Sequence, residues 1–289
     1  MTILKATVVR GCKLLFLALL AAAVLYPVCL TVTNSFMSED EIGRHYEALE
    51  GGETTVREHA AVRFIPERVT FEQFGEALLR RPTFLLLFWN SVNLTVPIMA
   101  GQAMLGTLAG YAFAKLAFPG RDKLFFVYLL TMLMPFQVTL VPNYLVAEKL
   151  DLLNSYGAII WPGVFASFGV FLMRQFMDGI PDDYMEAAKI DGAGHLHMFL
   201  HIALPLAKPG IAALLLLAFA DNWNMVEQPL LFLTEPLRQP LSVYLAHIAE
   251  GARGVAFAAS VLYMTPMVLL FLYGEEDLVE GIQMSGIKG

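Results

Sequence analysis

Charged residues are missing from long stretches of this chain, and each stretch has the length of a bilayer crossing. No Asp, Glu, Lys or Arg occurs in residues 14–38, 83–114, 124–147, 152–173 or 254–274. Residues 209–220 are also uncharged, with Lys208 and Asp221 marking their two ends. A membrane-crossing helix needs about 20 apolar residues. Six transmembrane helices are therefore predicted, at about 14–36, 84–114, 124–147, 152–173, 206–226 and 254–274. The core helices of a soluble helical protein would carry polar faces at 3.6-residue spacing, and residues 125–134 have none. The expected fold class is an all-α membrane protein. For the first stretch a secretory signal peptide is the alternative, since Lys5, Arg10 and Lys13 precede it and Ala21, Ala22 and Ala23 lie within it. Its apolar run continues to Val32, beyond the roughly 7 to 15 residues of a signal core, so an uncleaved helix is expected.

Composition points the same way. The chain has 289 residues, of which 57% are hydrophobic and 16% charged, and its mean hydropathy is +0.60. Soluble domains average roughly 45 to 50% apolar and about 25% charged. A net charge of -7 with no basic tract argues against a nucleic-acid partner. Cys12 and Cys29 fall on one predicted helix, about 25 Å apart by helical rise, too far to form a disulfide.

Lys and Arg in short loops are retained on the cytoplasmic side. With the N-terminus inside, residues 1–13 are a cytoplasmic N-terminus, and the cytoplasmic segments hold ten of the nineteen Lys and Arg. Six of the remainder (Arg44, Arg57, Arg63, Arg68, Arg80 and Arg81) lie in one long connection, 39–82, where charge constrains topology weakly. Both termini are thus expected in the cytoplasm, and 39–82 is an extracytoplasmic loop. That loop carries ten acidic residues and reads equally as a solvated excursion or a docking surface.

The connection 175–205 resembles two short helices rather than a linker. Pro181 with Asp182 and Asp183 marks a helix start, with proline and carboxylates where the first turn favours them. Tyr184, Met185 and Ala188 are expected to share a face. Gly192 and Gly194 break the helix. A second helix is expected over 195–201, with Leu196, Phe199 and Leu200 spaced along one side. Such a pair has an apolar stripe to bury against something other than lipid tails.

Within this segment Glu186, Ala187, Ala188, Gly192, Ile202, Leu204 and Pro205 reproduce the EAA-x3-G-x9-I-x-L-P signature, seven fixed positions over twenty residues. By these residues the chain resembles the permeases of binding-protein-dependent ABC importers. Asn90 and Ser91, Tyr111 to Ala114, Phe118 to Arg121, Met134 and Pro135, Pro142, Gln175 and Phe176, Ile190 to Ala193, and Trp223 with Asn224 extend the likeness. They place it near the carbohydrate branch, the class of the smaller permease of the maltose importer. An insertion around 37–62 departs from the family's usual first outer loop.

The resemblance implies the type I importer permease fold, multi-pass in a bacterial inner membrane. It implies a second permease, an ATPase dimer, an extracytoplasmic solute-binding protein and a mono- or oligosaccharide substrate. Residues 175–205 would be the cytoplasmic coupling segment, with Glu186, Ala187, Ala188, Asp191 and Gly192 meeting the ATPase. Residues 282–289 are expected to reach the ATPase as well, or to fray as a tail. No cofactor is expected on this chain, because no G-x-x-x-x-G-K-[ST] occurs; ATP and Mg belong to the partner ATPase. No catalytic constellation assembles, so an enzyme is not expected.

Polar groups inside predicted spans are candidates for the substrate path, since they face the bundle interior or a watery cavity. These are Asn90, Asn93, Gln102, Gln137, Asp221, Asn222 and Asn224, with helix-packing hydrogen bonds as the rival role. Asp221, costly at mid-bilayer, should be paired or lie near the outer surface. Trp89, Trp161 and Trp223 sit near span ends and are expected as interfacial anchors. His195, His197 and His201 are expected on a solvated face rather than at a metal. The remaining alternatives are a permease for polyols, glycerol phosphate or peptides, and a non-transporting membrane subunit that docks an ATPase.

Overall fold

A computed structural model describes residues 2–50, 65–80, 82–246 and 253–286, and the side chains of 9–46, 65–80, 82–246 and 253–275 among them. Residues 51–64 of the inserted loop and the last three residues lie outside the described residues. Apart from turns and connections, everything described is helical, with no strand. The chain divides into two compact units, residues 1–85 with 247–264, and residues 86–246 with 265–289.

The first unit opens with α1 (Thr2–Asn34). Residues 9–29 of α1 are all exposed, a run of Leu, Phe and Val that belongs in lipid rather than water. Next, α2 (Glu39–Glu50) begins with Glu39, Asp40 and Glu41 in its first turn, where the helix dipole favours anions. The buried Glu41 accepts a hydrogen bond from the backbone N–H of Glu67 at 2.8 Å. Glu39 Oε2 accepts from Gln73 Nε2 at 3.1 Å and from the Gly254 N–H at 3.2 Å. Gln73 lies on α3 (Glu72–Gly75), which continues as a π-helical turn to Arg80. Phe36 packs against Phe71 and Phe74. The described part of 39–82 is therefore a folded element with its buried carboxylate, Glu41, hydrogen-bonded, rather than a bare solvated loop.

The second unit is built on α4 (Pro82–Lys115), followed by α5 (Arg121–Met132), α6 (Phe136–Lys149), α7 (Gly157–Val164) and α8 (Ser167–Asp178). Then come α9 (Asp182–Ile190), α10 (His195–Met198), a π-helical turn over Phe199–Ala203 and α11 (Leu204–Leu206). The chain continues through α12 (Lys208–Trp223), α13 (Glu227–Phe232) and α14 (Leu241–Ala246), and then α15 (Arg253–Gly286), of which residues 253–264 belong to the first unit and the rest to the second. Glycines on α4 let neighbouring backbones approach closely. A Cβ at Gly106 would meet the backbone of Gly169 at 3.0 Å, and one at Gly110 would meet Met173 Cβ at 2.7 Å and Arg174 N at 2.8 Å. The spacing is that of the small-residue motif of membrane helix pairs. One core joins Tyr111 to Met173, Met177, Met185, Met198, Phe199 and Leu214, and a second joins Leu94 and Ile98 to Ala158, Ile159 and Phe232.

Among the described residues, four helical stretches are long and apolar enough to cross a membrane: Val9–Asn34, Pro82–Lys115, Gly157–Asp178 and Arg253–Glu275. Two more crossings form only if bent pairs count as one each, α5 with α6 at 101° and His195–Leu206 with α12 at 72°. The predicted span at 124–147 is thus broken. Pro135 takes the extended ψ of 138° at the start of α6, in keeping with the loss of helix geometry around an X-Pro bond. The stretch predicted at 152–173 starts at Gly157, because Asp151 and Asn154 adopt left-handed φ of 56° and 61° and turn the chain there.

Candidate functional site

Two places in the second unit gather the residues singled out by sequence. The first is α9 together with the turn and short helices after it. Asp182 and Asp183 occupy the first turn of α9. Its end is a Schellman closure: the Gly192 N–H donates to Lys189 O at 3.0 Å and the Ala193 N–H to Ala188 O at 2.9 Å. That closure requires the φ of +83° that Gly192 adopts, and only glycine holds it without strain. Met185 is buried and Ala188 packs beside it, tying α9 to the core of Tyr111, Met173 and Met177.

The outward face of this segment is apolar as well as charged. Glu186, Ala187, Asp191 and Gly192 are exposed. Beside them Ile190 is 87% exposed, Leu196 68% and Tyr184 55%. Tyr184 therefore turns away from Met185 and Ala188 instead of sharing their face. Leu196 and Leu200 likewise point outward, while Met198, Phe199 and Ala203 are buried. Of the i, i+3, i+4 face expected from sequence (Leu196, Phe199, Leu200) only Phe199 is buried, and the helix becomes a π-helical turn from that residue on. His197 and His201 stack at 4.1 Å on the exposed side.

A lysine on α4 ties this segment to that helix, beside the packing of Tyr111. Lys115 Nζ donates at 2.6 Å to both the Ile180 carbonyl and Asp182 Oδ1, and its side chain is only 6% exposed. The Asp182 side chain is 76% exposed. Its carboxyl is nonetheless held below the usual carboxylate range, first by the hydrogen bond from Lys115 and then by that lysine's charge.

The second place is a cavity of roughly 730 Å³ where several helices break. The α5–α6 break contributes Met132, Met134 and Phe136, the α7–α8 break contributes Gly163, Ala166 and Ser167, and the end of α12 contributes Asp221, Asn222 and Asn224. Asn143, Glu227 and Gln228 complete its polar wall. Gln102 Nε2 donates to Gly163 O at 2.8 Å, a carbonyl near the end of α7 that also accepts from the Ala166 N–H at 3.2 Å. Asn222 and Asn224 each donate an amide hydrogen to the backbone four residues earlier. The amide nitrogen of Gln228 is buried with no hydrogen-bond partner.

The other sequence candidates lie elsewhere. Asn90 is buried and donates to Leu237 O at 2.8 Å and Gln239 O at 3.1 Å, clamping that segment over α4. Neighbouring Ser91 Oγ accepts from the Leu241 N–H at the start of α14. Asn93 and Gln137 are exposed outside the cavity wall. Trp223 is 2% exposed, stacked on Phe219 at 5.0 Å, so it is a core residue rather than an interfacial anchor. Trp89 and Trp161 are exposed. Asn143, Glu227 and Gln228 carry little signal in the sequence, since Glu227 and Gln228 lie beyond a charge-free run and Asn143 is an isolated amide within one.

Comparison with known proteins gives consistent likenesses. Residues 102–274 match the family described as binding-protein-dependent transport system inner membrane component. The arabinooligosaccharides transport system permease protein AraQ of Halalkalibacterium halodurans is 29% identical over 275 residues, 94% of each chain. The maltodextrin transport system permease protein MdxG of Bacillus subtilis is 27% identical over 96% of each chain. The sn-glycerol-3-phosphate transport system permease protein UgpE of Pectobacterium atrosepticum is 32% identical over 69% of this chain and 73% of its own. Among solved structures, a chain of a bacterial ABC transporter involved in the import of the acidic polysaccharide alginate superposes with a TM-score of 0.78 at 23% identity, covering 94% of this chain and 97% of that one.

Proposed function

The chain belongs to the binding-protein-dependent transport system inner membrane components, and from that premise we propose that it forms, with a second permease, the path of an ATP-driven oligosaccharide importer. It is the membrane permease component, and ATP hydrolysis falls to a separate ATPase. The preference for saccharides is supported by relatives named for arabinooligosaccharides and maltodextrin that align over 94 to 96% of this chain, whereas the glycerol-phosphate relative aligns over 69%.

In this proposal the 182–206 segment is the contact with an ATPase dimer that binds ATP and Mg, both termini are cytoplasmic, and α2 with its neighbours faces an extracytoplasmic binding protein. The observation that carries the ATPase contact is the exposed face of Tyr184, Glu186, Ile190 and Leu196, mounted on a helix whose other face is locked into the core. Exposed apolar groups beside a carboxylate, on a rigid support, suit a protein partner better than water or lipid. A knob tied to α4, α8 and α12 moves them as one body when the ATPase closes, and alternating access results from that rigid-body motion. Asp221, Asn222 and Asn224 line the cargo path, with Gln102, Asn143 and Gln228.

The test is retention of the ATPase. Glu186→Lys reverses the exposed charge, and Gly192→Asp strains the left-handed turn that ends α9. Both variants should insert and fold yet lose the ATPase during affinity purification. Normal ATPase recovery with both would overturn the docking assignment.

A further inference from the structure

The described wall of the cavity is acidic and carries no compensating cation. Asp221 and Glu227, both exposed, lie on it, and none of its described lining residues is Lys, Arg or His. Helix ends add partial charges of about half a unit each, positive at N-termini and negative at C-termini. At this cavity they occur in opposed pairs, because each break ends one helix and begins the next: α5 before α6, α7 before α8, α12 before α13. Those half-charges cancel to first order, which leaves two whole negative charges to set the potential. The buried, unpartnered amide nitrogen of Gln228 on the same wall is an open hydrogen-bond donor. A buried donor left unpaired is costly, and a ligand oxygen at this wall would relieve that cost.

We infer that this cavity is a cation-tolerant, anion-rejecting section of the path, whose cargo is a saccharide that is uncharged or amine-bearing and that supplies a hydroxyl or ring oxygen to Gln228. The inference rests on the path assignment above and goes further by excluding phosphorylated and uronic-acid sugars. A cleft lined by one sign of charge focuses its field and raises the local concentration of opposite charge. Asp221 and Glu227 are then specificity-determining residues of the path, acting on charge rather than on sugar stereochemistry.

Thiol labelling in the complete importer measures this without knowledge of the cargo. Thr139, on the same wall, is replaced by cysteine in a chain whose exposed Cys12 and Cys29 are changed to serine. The thiol is then reacted with methanethiosulfonates of similar size bearing a trimethylammonium, a sulfonate or no charge, each rate divided by its rate with free cysteine. The cationic reagent should outpace the anionic one by about tenfold, as expected for a surface potential of the order of kT. Combined Asp221→Asn and Glu227→Gln should bring the ratio towards one while the neutral reagent reacts as before, which also shows that the variant is folded. Equal cationic and anionic rates in the starting protein, or a bias that survives the double substitution, overturn the inference and leave the path assignment standing. Failure of even the neutral reagent to reach Thr139→Cys overturns the path assignment, and the inference falls with it.

Discussion

Lys115 shows how much one side chain can decide. Its ammonium is withdrawn from water and satisfied by a carbonyl and a carboxylate, both at 2.6 Å. Buried charges persist when paired and hydrogen-bonded, and breaking the pair from the buried side costs most. The two contacts are unequal, because solvent screens the exposed Asp182 whereas the Ile180 carbonyl belongs to the covered end. Lys115→Met should therefore lower transport per ATP hydrolysed several-fold, and Asp182→Asn much less, when uptake and phosphate release are measured in the same vesicles. Equal effects, or none, would count against Lys115 as the strut between α4 and α9. The pH dependence has a definite sign. The carboxyl of Asp182 is held below its ordinary value by Lys115, so its contribution is fully present above an ordinary carboxylate pKa of about 3.9 and fades only as pH falls through the lowered value. Coupling through this pair should be flat across the neutral range.

Among the elements, α4 sets the spacing of its neighbours through glycine. Substitution by alanine should destabilise in the order of the room available. Gly110→Ala is worst, with Met173 and Arg174 under 3 Å away, then Gly106→Ala against the Gly169 backbone, whereas Gly11→Ala on α1 meets nothing within 4 Å. Overpacking of this kind costs about 1 to 3 kcal/mol, read as a fall in the apparent melting midpoint in detergent. Any other order would contradict the close α4–α8 approach. This approach was open to reading from the Gly106 to Gly110 spacing, but charge-free runs report length alone. Those runs placed α4 and α15 to within two residues at their starts, because absence of charge reports immersion in lipid. They do not report helix continuity. The bend at Pro135 and the break at Ala166 are backbone events inside uncharged sequence, whereas the turn at Asp151 to Asn154 falls at the edge of an uncharged run, and only the break at Ala166 leaves no mark in residue type.

At the scale of the whole molecule, the breaks and the lysine strut form one design. Helices that must cross lipid keep their backbone bonds internal, so irregular backbone is tolerated only where protein or a water-filled cavity receives it. Here the irregular backbone converges on the cavity of Asp221, Asn222 and Asn224, and the neighbouring helices α8 and α12 run from it to the core that holds α9. Asp221, Asn222 and Asn224 were legible in sequence as polar groups near the end of a predicted span. Glu227, Gln228 and Asn143 join them only through tertiary folding, and Asn90 left the set because its amide is committed to the 237–239 backbone.

The central claim is that this chain forms the path of an importer worked from α9. Its most direct test is uptake of a labelled oligosaccharide into vesicles containing this chain, its partner permease and its ATPase, with the binding protein added outside. The account predicts uptake that requires both ATP and the binding protein, and that is lost with Glu186→Lys. ATP hydrolysis stimulated by the binding protein but with no solute entering the vesicles would contradict it.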